Sequence, residues 1–187
     1  MRKTRHEENA AYSAPARWLH WSVAVLVLGL IAAGQVMIAE GLAPSVRDLL
    51  YLFHKNAGVI IGALMLIRLG YRIAHPPPPL PATTPHWQAR VAHVTHALLY
   101  LLVFVMVVSG YTRVRAGGYP IEGLDALGLP RLVAKEKGLE TAAKAIHAYA
   151  RLGLIALIAL HIGAAFYHTL WLRDGLLRRM WPRRSGQ

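Results

Sequence analysis

Four long stretches of the chain are almost free of charged side chains, and the polar residues gather between them. The apolar stretches cover about 17–39, 49–71, 89–111 and 142–172. Each has the roughly 20 residues that a helix needs to cross about 30 Å of hydrocarbon. A backbone in lipid must satisfy its own polar groups, which makes unbroken runs of this length helical. The link HPPPPLPATTP, residues 75–85, cannot continue a helix and reads as a short stiff turn. The longest link, TRVRAGGYPIEGLDALGLPRLVAKEKGLE, is predicted to be a loop with one short interfacial helix. The pattern therefore predicts one all-α domain over residues 1–187, an integral membrane four-helix bundle with up-down-up-down topology.

Composition supports the membrane assignment. The chain is 55% hydrophobic and 16% charged, with a mean hydropathy of +0.36. Its net charge of +12 does not point to nucleic acid, because the basic residues sit at the ends of the apolar runs and not along one face. They set orientation instead. Four spans put both termini on one side, which carries eleven basic residues against three acids, while the other side carries seven against six. The excess predicts cytoplasmic termini. Trp18, Trp21, Tyr71, Trp87, Tyr111 and Trp171 fall at span edges, where interfacial aromatic belts lie.

Cysteine is absent, so disulfides, thiolate metal sites, iron–sulfur clusters and covalently attached c-type haem are excluded. That leaves ten histidines as the main candidate ligands. His6 and His86 read as ordinary interfacial groups. His161 lies mid-span in LIALHIGAAFY, where an unpaired imidazole is costly and usually functional. His147 precedes it by 14 residues, about 21 Å along a helix and only about 40° around it. One face of the fourth span thus offers imidazoles at two depths. His20, near the start of span one, and His54, near the start of span two, offer one each at opposite ends. Two bis-histidine sites stacked across a bilayer follow from this pattern.

Zinc would want three or four ligands at one depth, often with a carboxylate, and no acid lies inside a span. Haem iron takes two axial imidazoles from facing helices, and Ala57, Gly58 and Gly153 are small residues near the candidate ligands. Arg68, 14 residues after His54, and Arg151, one turn beyond His147, are cations available to haem propionates. Depth counting leaves the cytoplasmic-side site open: His168, two turns beyond His161 on the same face, matches His20 in depth at least as well.

The chain resembles the bacterial cytochrome b561 family, relatives of the cytochrome b subunits of membrane hydrogenases and formate dehydrogenases. The matching pieces are RWLHW, FHKNAGVIIGALMLIRLGYR, the Pro-rich turn, AHVTHALLY and IHAYARLGLIALIALHIGAAFYHTLWLRDGLLRRMWP, together nearly the whole chain. The resemblance implies two non-covalent haems b in a bacterial inner membrane. His20 and His161 would ligate the cytoplasmic-side iron, and His54 and His147 the periplasmic-side iron.

A family member of similar length and layout oxidises periplasmic superoxide and passes electrons to ubiquinone, so the resemblance implies a superoxide:quinone oxidoreductase. For the quinone site, location suggests His168, Arg72, Arg90 and Trp171, with His75 and His93 nearby. His93 and His96, three residues apart, would face lipid headgroups or the haem rim. The charges of the long outer link, Arg113, Arg115, Arg131, Lys135 and Lys137 among them, read as a solvated loop face. The alternative function is an electron-transfer subunit relaying electrons between the quinone pool and a partner dehydrogenase or soluble cytochrome.

Overall fold

The computed structural model describes residues 11–80 and 84–181. These residues form helices and loops, with no strand among them. Four helices are long and apolar enough to cross a membrane: α1 (Ala14–Val36), α2 (Pro44–Ala74), α3 (His86–Ala116) and α5 (Lys137–Tyr167), the last continued by a π-helical turn (His168–Leu172). Two five-residue helices, α4 (Glu122–Ala126) and α6 (Leu176–Met180), complete the order. Most helices start several residues before the apolar runs, because their first turns are built by other signals. Prolines occupy the first turns of α1 and α2, where a missing N–H costs nothing. The Glu136 side chain caps α5 by accepting from the Gly138 and Leu139 amides.

α1 packs on α2 and α3 on α5, and α2 meets α3 less extensively. Val23, Val27, Ile61, Met65, Val103 and Leu154, drawn from all four spans, form the buried core cluster. In sequence depth this cluster lies between the two histidine levels. Outward positions such as Val25, Leu28, Ile60, Leu101, Val108 and Leu160 are exposed, as a lipid-facing surface requires. The start of α1 and α6 lie together at one end of the bundle, here the terminal end, where the Tyr12 amide donates to the Arg179 carbonyl at 3.1 Å; the α3–α5 connection lies at the loop end. At the terminal end α6 docks on the start of α1, where Trp21 Nε1 donates to the Met180 carbonyl at 2.8 Å and its ring packs edge-on against Trp181.

The long connection contains the expected short helix, but its charges do not all form a solvated face. Arg115 is 2% exposed. Its Nη2 donates to Asp125 at 2.6 Å, and Arg131 reaches the other carboxylate oxygen at 3.1 Å. Lys55 on α2 bonds the Pro120 carbonyl and Glu122, and Asn56 exchanges bonds with Glu122 and the Gly123 amide. Glu122 and Asp125, unmarked by hydropathy as partners, each capture a cation of a spanning helix.

The hydrogen bond from Arg115 pulls the Asp125 carboxyl below the usual carboxylate range, against an opposing effect of burial, and the charges of Arg115 and Arg131 add to it. A folded-state pKa below the unfolded value stabilises the docked loop above about pH 4, and that contribution fades as acid titrates the group. Amide hydrogen exchange across 117–131 should therefore be slow at pH 7 and, corrected for intrinsic rate, faster below pH ~4. Asp125→Asn should give the fast pattern at pH 7, and identical exchange in the two chains would refute the role of the pair.

Candidate haem and electron-transfer site

The structure brings the four predicted ligands together in two pairs. His20 on α1 faces His161 on α5 with ring centroids 6.3 Å apart and planes at 72°. His54 on α2 faces His147 on α5 at 6.4 Å and 72°. The helices that carry facing rings, α1 with α5 and α2 with α5, are not among those in extensive backbone contact. The imidazoles thus face each other between helices that are not closely packed.

His147 has a defined orientation. Its Nδ1 donates to the Met106 carbonyl at 3.1 Å and lies 3.1 Å from Ser109 Oγ. Ser109 itself donates to the Val105 carbonyl at 2.6 Å, so its hydroxyl meets the imidazole as an acceptor. This leaves the lone pair on Nε2, the nitrogen turned to the site. His54 Nδ1 is buried without a hydrogen-bond partner.

At the terminal-end pair, Trp21 packs edge-on against His20 at 5.3 Å and His96 against His161 at 5.3 Å. His96 was expected at headgroups or a haem rim; it comes from α3 to lie beside a candidate ligand. Arg68 is next to this pair. Its Nε donates to Tyr100 Oη at 2.8 Å, while Nη1 is buried and unpartnered. Arg151, near the other pair, donates from Nη1 to Gln35 Oε1 at 2.5 Å and has a buried, unpartnered Nε.

Of the residues named for a quinone, Arg72 lines a small terminal-end cleft with Tyr12, Arg68, Tyr71, His75 and Tyr100. His168 lies apart from it in the π-helical turn, donating from Nδ1 to Asp174 at 2.5 Å. Arg90 is exposed, and Trp171 is 79% exposed on the outer surface. Of the four residues, Arg72 lines this cleft and the other three do not. His93 bonds the Ala89 carbonyl, His86 is exposed, and His6 is outside the described residues. Among the small residues, Gly58 meets open space and Gly153 lies near Leu102, whereas the glycines lying against imidazoles are Gly34 and Gly110.

The family model for prokaryotic cytochrome b561 matches residues 11–183. The chain belongs to this family. The cytochrome is 29% identical over 174 residues to Cytochrome b561 homolog 2 of Escherichia coli (strain K12), covering 90% of each chain. It is 28% identical to Cytochrome b561 homolog 1 of the same organism, over 93% of this chain and 98% of the relative. It is also 29% identical to a Yersinia pestis protein named Probable superoxide oxidase CybB, over 94% of this chain and 98% of that one.

Membership makes the chain a multi-pass bacterial membrane cytochrome with haem b as its cofactor and electron transfer as its role. The residues present fit that group. A metal–imidazole bond of about 2 Å on each side, with the ring centre roughly 1.2 Å further out, puts two axial imidazoles about 6.4 Å apart. Both pairs have that spacing. The buried, unpartnered guanidinium nitrogens of Arg68 and Arg151 are donors suited to carboxylates.

Proposed function

We propose that the cytochrome is a di-haem superoxide:quinone oxidoreductase of the bacterial inner membrane, with both termini in the cytoplasm. One haem b would be held by His54 and His147 at the loop end, which is then periplasmic, and one by His20 and His161 at the terminal, cytoplasmic end. The observation that supports this most is the repetition of one imidazole spacing and one inter-ring angle at two depths. Haem b supplies one-electron carriage with a potential tuned by axial ligation, burial and nearby charge.

The chain's own groups do the rest. Met106 and Ser109 keep the proton of His147 on Nδ1. Arg68 and Arg151 supply cations for propionates in a region where an unpaired carboxylate would be costly. The apolar cluster around Ile61 and Val103 excludes water between the two levels. Superoxide as donor is supported by the name of the Yersinia pestis relative. The overall reaction consumes two superoxide anions, one ubiquinone and two protons, and yields two O2 and one ubiquinol. The terminal-end cleft, with Arg72 and Arg68 beside three tyrosines, is the best placed for the quinone head; His168, Arg90 and Trp171 lie outside it.

Pulse radiolysis of the purified cytochrome in detergent with ubiquinone tests the reading. Superoxide should reduce the haem at a near-diffusional rate, on the order of 10⁸ M⁻¹s⁻¹, and ubiquinol should accumulate at one per two superoxide consumed. Absence of reaction until a dehydrogenase or soluble cytochrome is added would replace this reading with that of an electron-relay subunit.

A further inference from the structure

The loop-end imidazoles rest on glycines of the neighbouring helices, and the terminal-end imidazoles do not. A Cβ at Gly34 on α1 would come within 3.1 Å of His54 Cε1 and 3.6 Å of its Nδ1. A Cβ at Gly110 on α3 would come within 3.2 Å of His147 Cε1 and 3.5 Å of its Nδ1. The two contacts are nearly the same contact, made on different helices to different histidines.

The two seats differ in their backbone hydrogen bonding. His147 Nδ1 donates to the carbonyl of Met106, four residues before Gly110. On α1 the residue four before Gly34 is Leu30, and His54 Nδ1 is buried there without a hydrogen-bond partner. In a helix the side chain at i+4 leans back toward the N-terminus, over the carbonyl at i. A glycine at i+4 uncovers that carbonyl to a second donor arriving from the side. Each helix therefore offers a notch one imidazole edge wide, and on α3 the Met106 carbonyl at its floor accepts from the ring. At the terminal end the lateral partners are rings instead, Trp21 for His20 and His96 for His161.

We propose that Gly34 and Gly110 are positioning residues that seat His54 and His147 edge-on against α1 and α3, fixing ring orientation for the loop-end haem alone. The inference rests on that haem lying between His54 and His147. A ring tied to its own helix at one end and to iron at the other has no free direction in which to yield a few tenths of an ångström. An added methyl must then twist the ring, lengthen the metal bond or part the helices. Gly29 and Gly70, on α1 and α2, meet nothing within 4 Å and lack this role.

The test compares Gly34→Ala and Gly110→Ala with Gly29→Ala and Gly70→Ala in the purified full-length chain. Haem content, low-temperature electron paramagnetic resonance and redox titration are read for each. Signals are first assigned to one haem or the other with His54→Ala and His20→Ala. Alanine is a better helix former than glycine, so helix weakening does not account for a loss.

The expected result is that both notch variants shift the low-spin signal and midpoint potential of the loop-end haem, or lower its occupancy at least twofold. The terminal-end haem should be unchanged in the same samples, which shows that the bundle has folded, and the controls should match the native chain. The proposal is overturned if either notch variant leaves the loop-end haem as in the native chain, or if the other haem changes as much. Failure of the underlying reading looks different: the native chain would hold one haem, or His54→Ala would remove none.

Discussion

His147→Ala should cut the haem content of the purified cytochrome from two per chain to one, and the surviving haem should keep its spectrum and potential. Its ring is one half of a pair 6.4 Å across, and no other histidine is seen in ring contact with either member. Water or a methyl group cannot replace an imidazole held from behind by the Met106 carbonyl and Ser109. His54→Ala should give the same species, and the double variant should lose nothing more, because the second ligand of a site already lost contributes no further. His20→Ala and His161→Ala should instead remove the other haem. His168→Ala is the informative companion. With its Nδ1 committed to Asp174 and its place in the π-helical turn, His168 should leave both haems present. A pyridine haemochrome assay with difference spectra reads all six variants, and loss of a haem from His168→Ala would refute the His20–His161 pairing.

The second large effect is expected at Arg68. Its guanidinium stands beside the terminal-end pair, bonded to Tyr100 through Nε, with Nη1 buried and free of any protein partner. A fixed cation favours the reduced form of a nearby haem, since reduction adds negative charge. Arg68→Leu should lower the midpoint potential of the terminal-end haem. At an effective dielectric constant near 20 the lost interaction is on the order of 1–2 kcal/mol. For a one-electron couple that is roughly 50–100 mV. The loop-end haem should move far less, because Arg68 and His54 are 14 residues apart on α2, about 21 Å along the helix. Arg68→Lys should recover part of the shift, keeping the charge without the fork that spans Tyr100 and a carboxylate. Spectroelectrochemical titration decides it; equal shifts in both haems would mean a general loosening of the bundle.

The spans were legible because they depend on local physics. An apolar run of about 20 residues has one way to satisfy its backbone in lipid, so hydropathy alone placed α1, α2, α3 and α5 to within several residues. The common face of His147 and His161 was legible for the same kind of reason, since helical periodicity holds over 14 residues of regular helix. It stopped being reliable where the helix did: after Tyr167 the backbone widens into the π-helical turn, and extrapolating the face to His168 crosses that change. The loop charges were misread at Arg115 because composition shows a cation but not Asp125 folding back over it.

The sequence by itself determined that four helices cross the membrane, that imidazoles occur at two depths, and that no thiol chemistry is available. Each follows from residue identity and spacing along one chain. Only the tertiary structure decided that His161 and not His168 stands opposite His20, that His96 joins them, and that Gly34 and Gly110 lie against the loop-end rings. Those facts depend on the crossing angles and relative heights of different helices, which are set by side-chain packing between segments far apart in sequence and leave no periodic trace within any one of them.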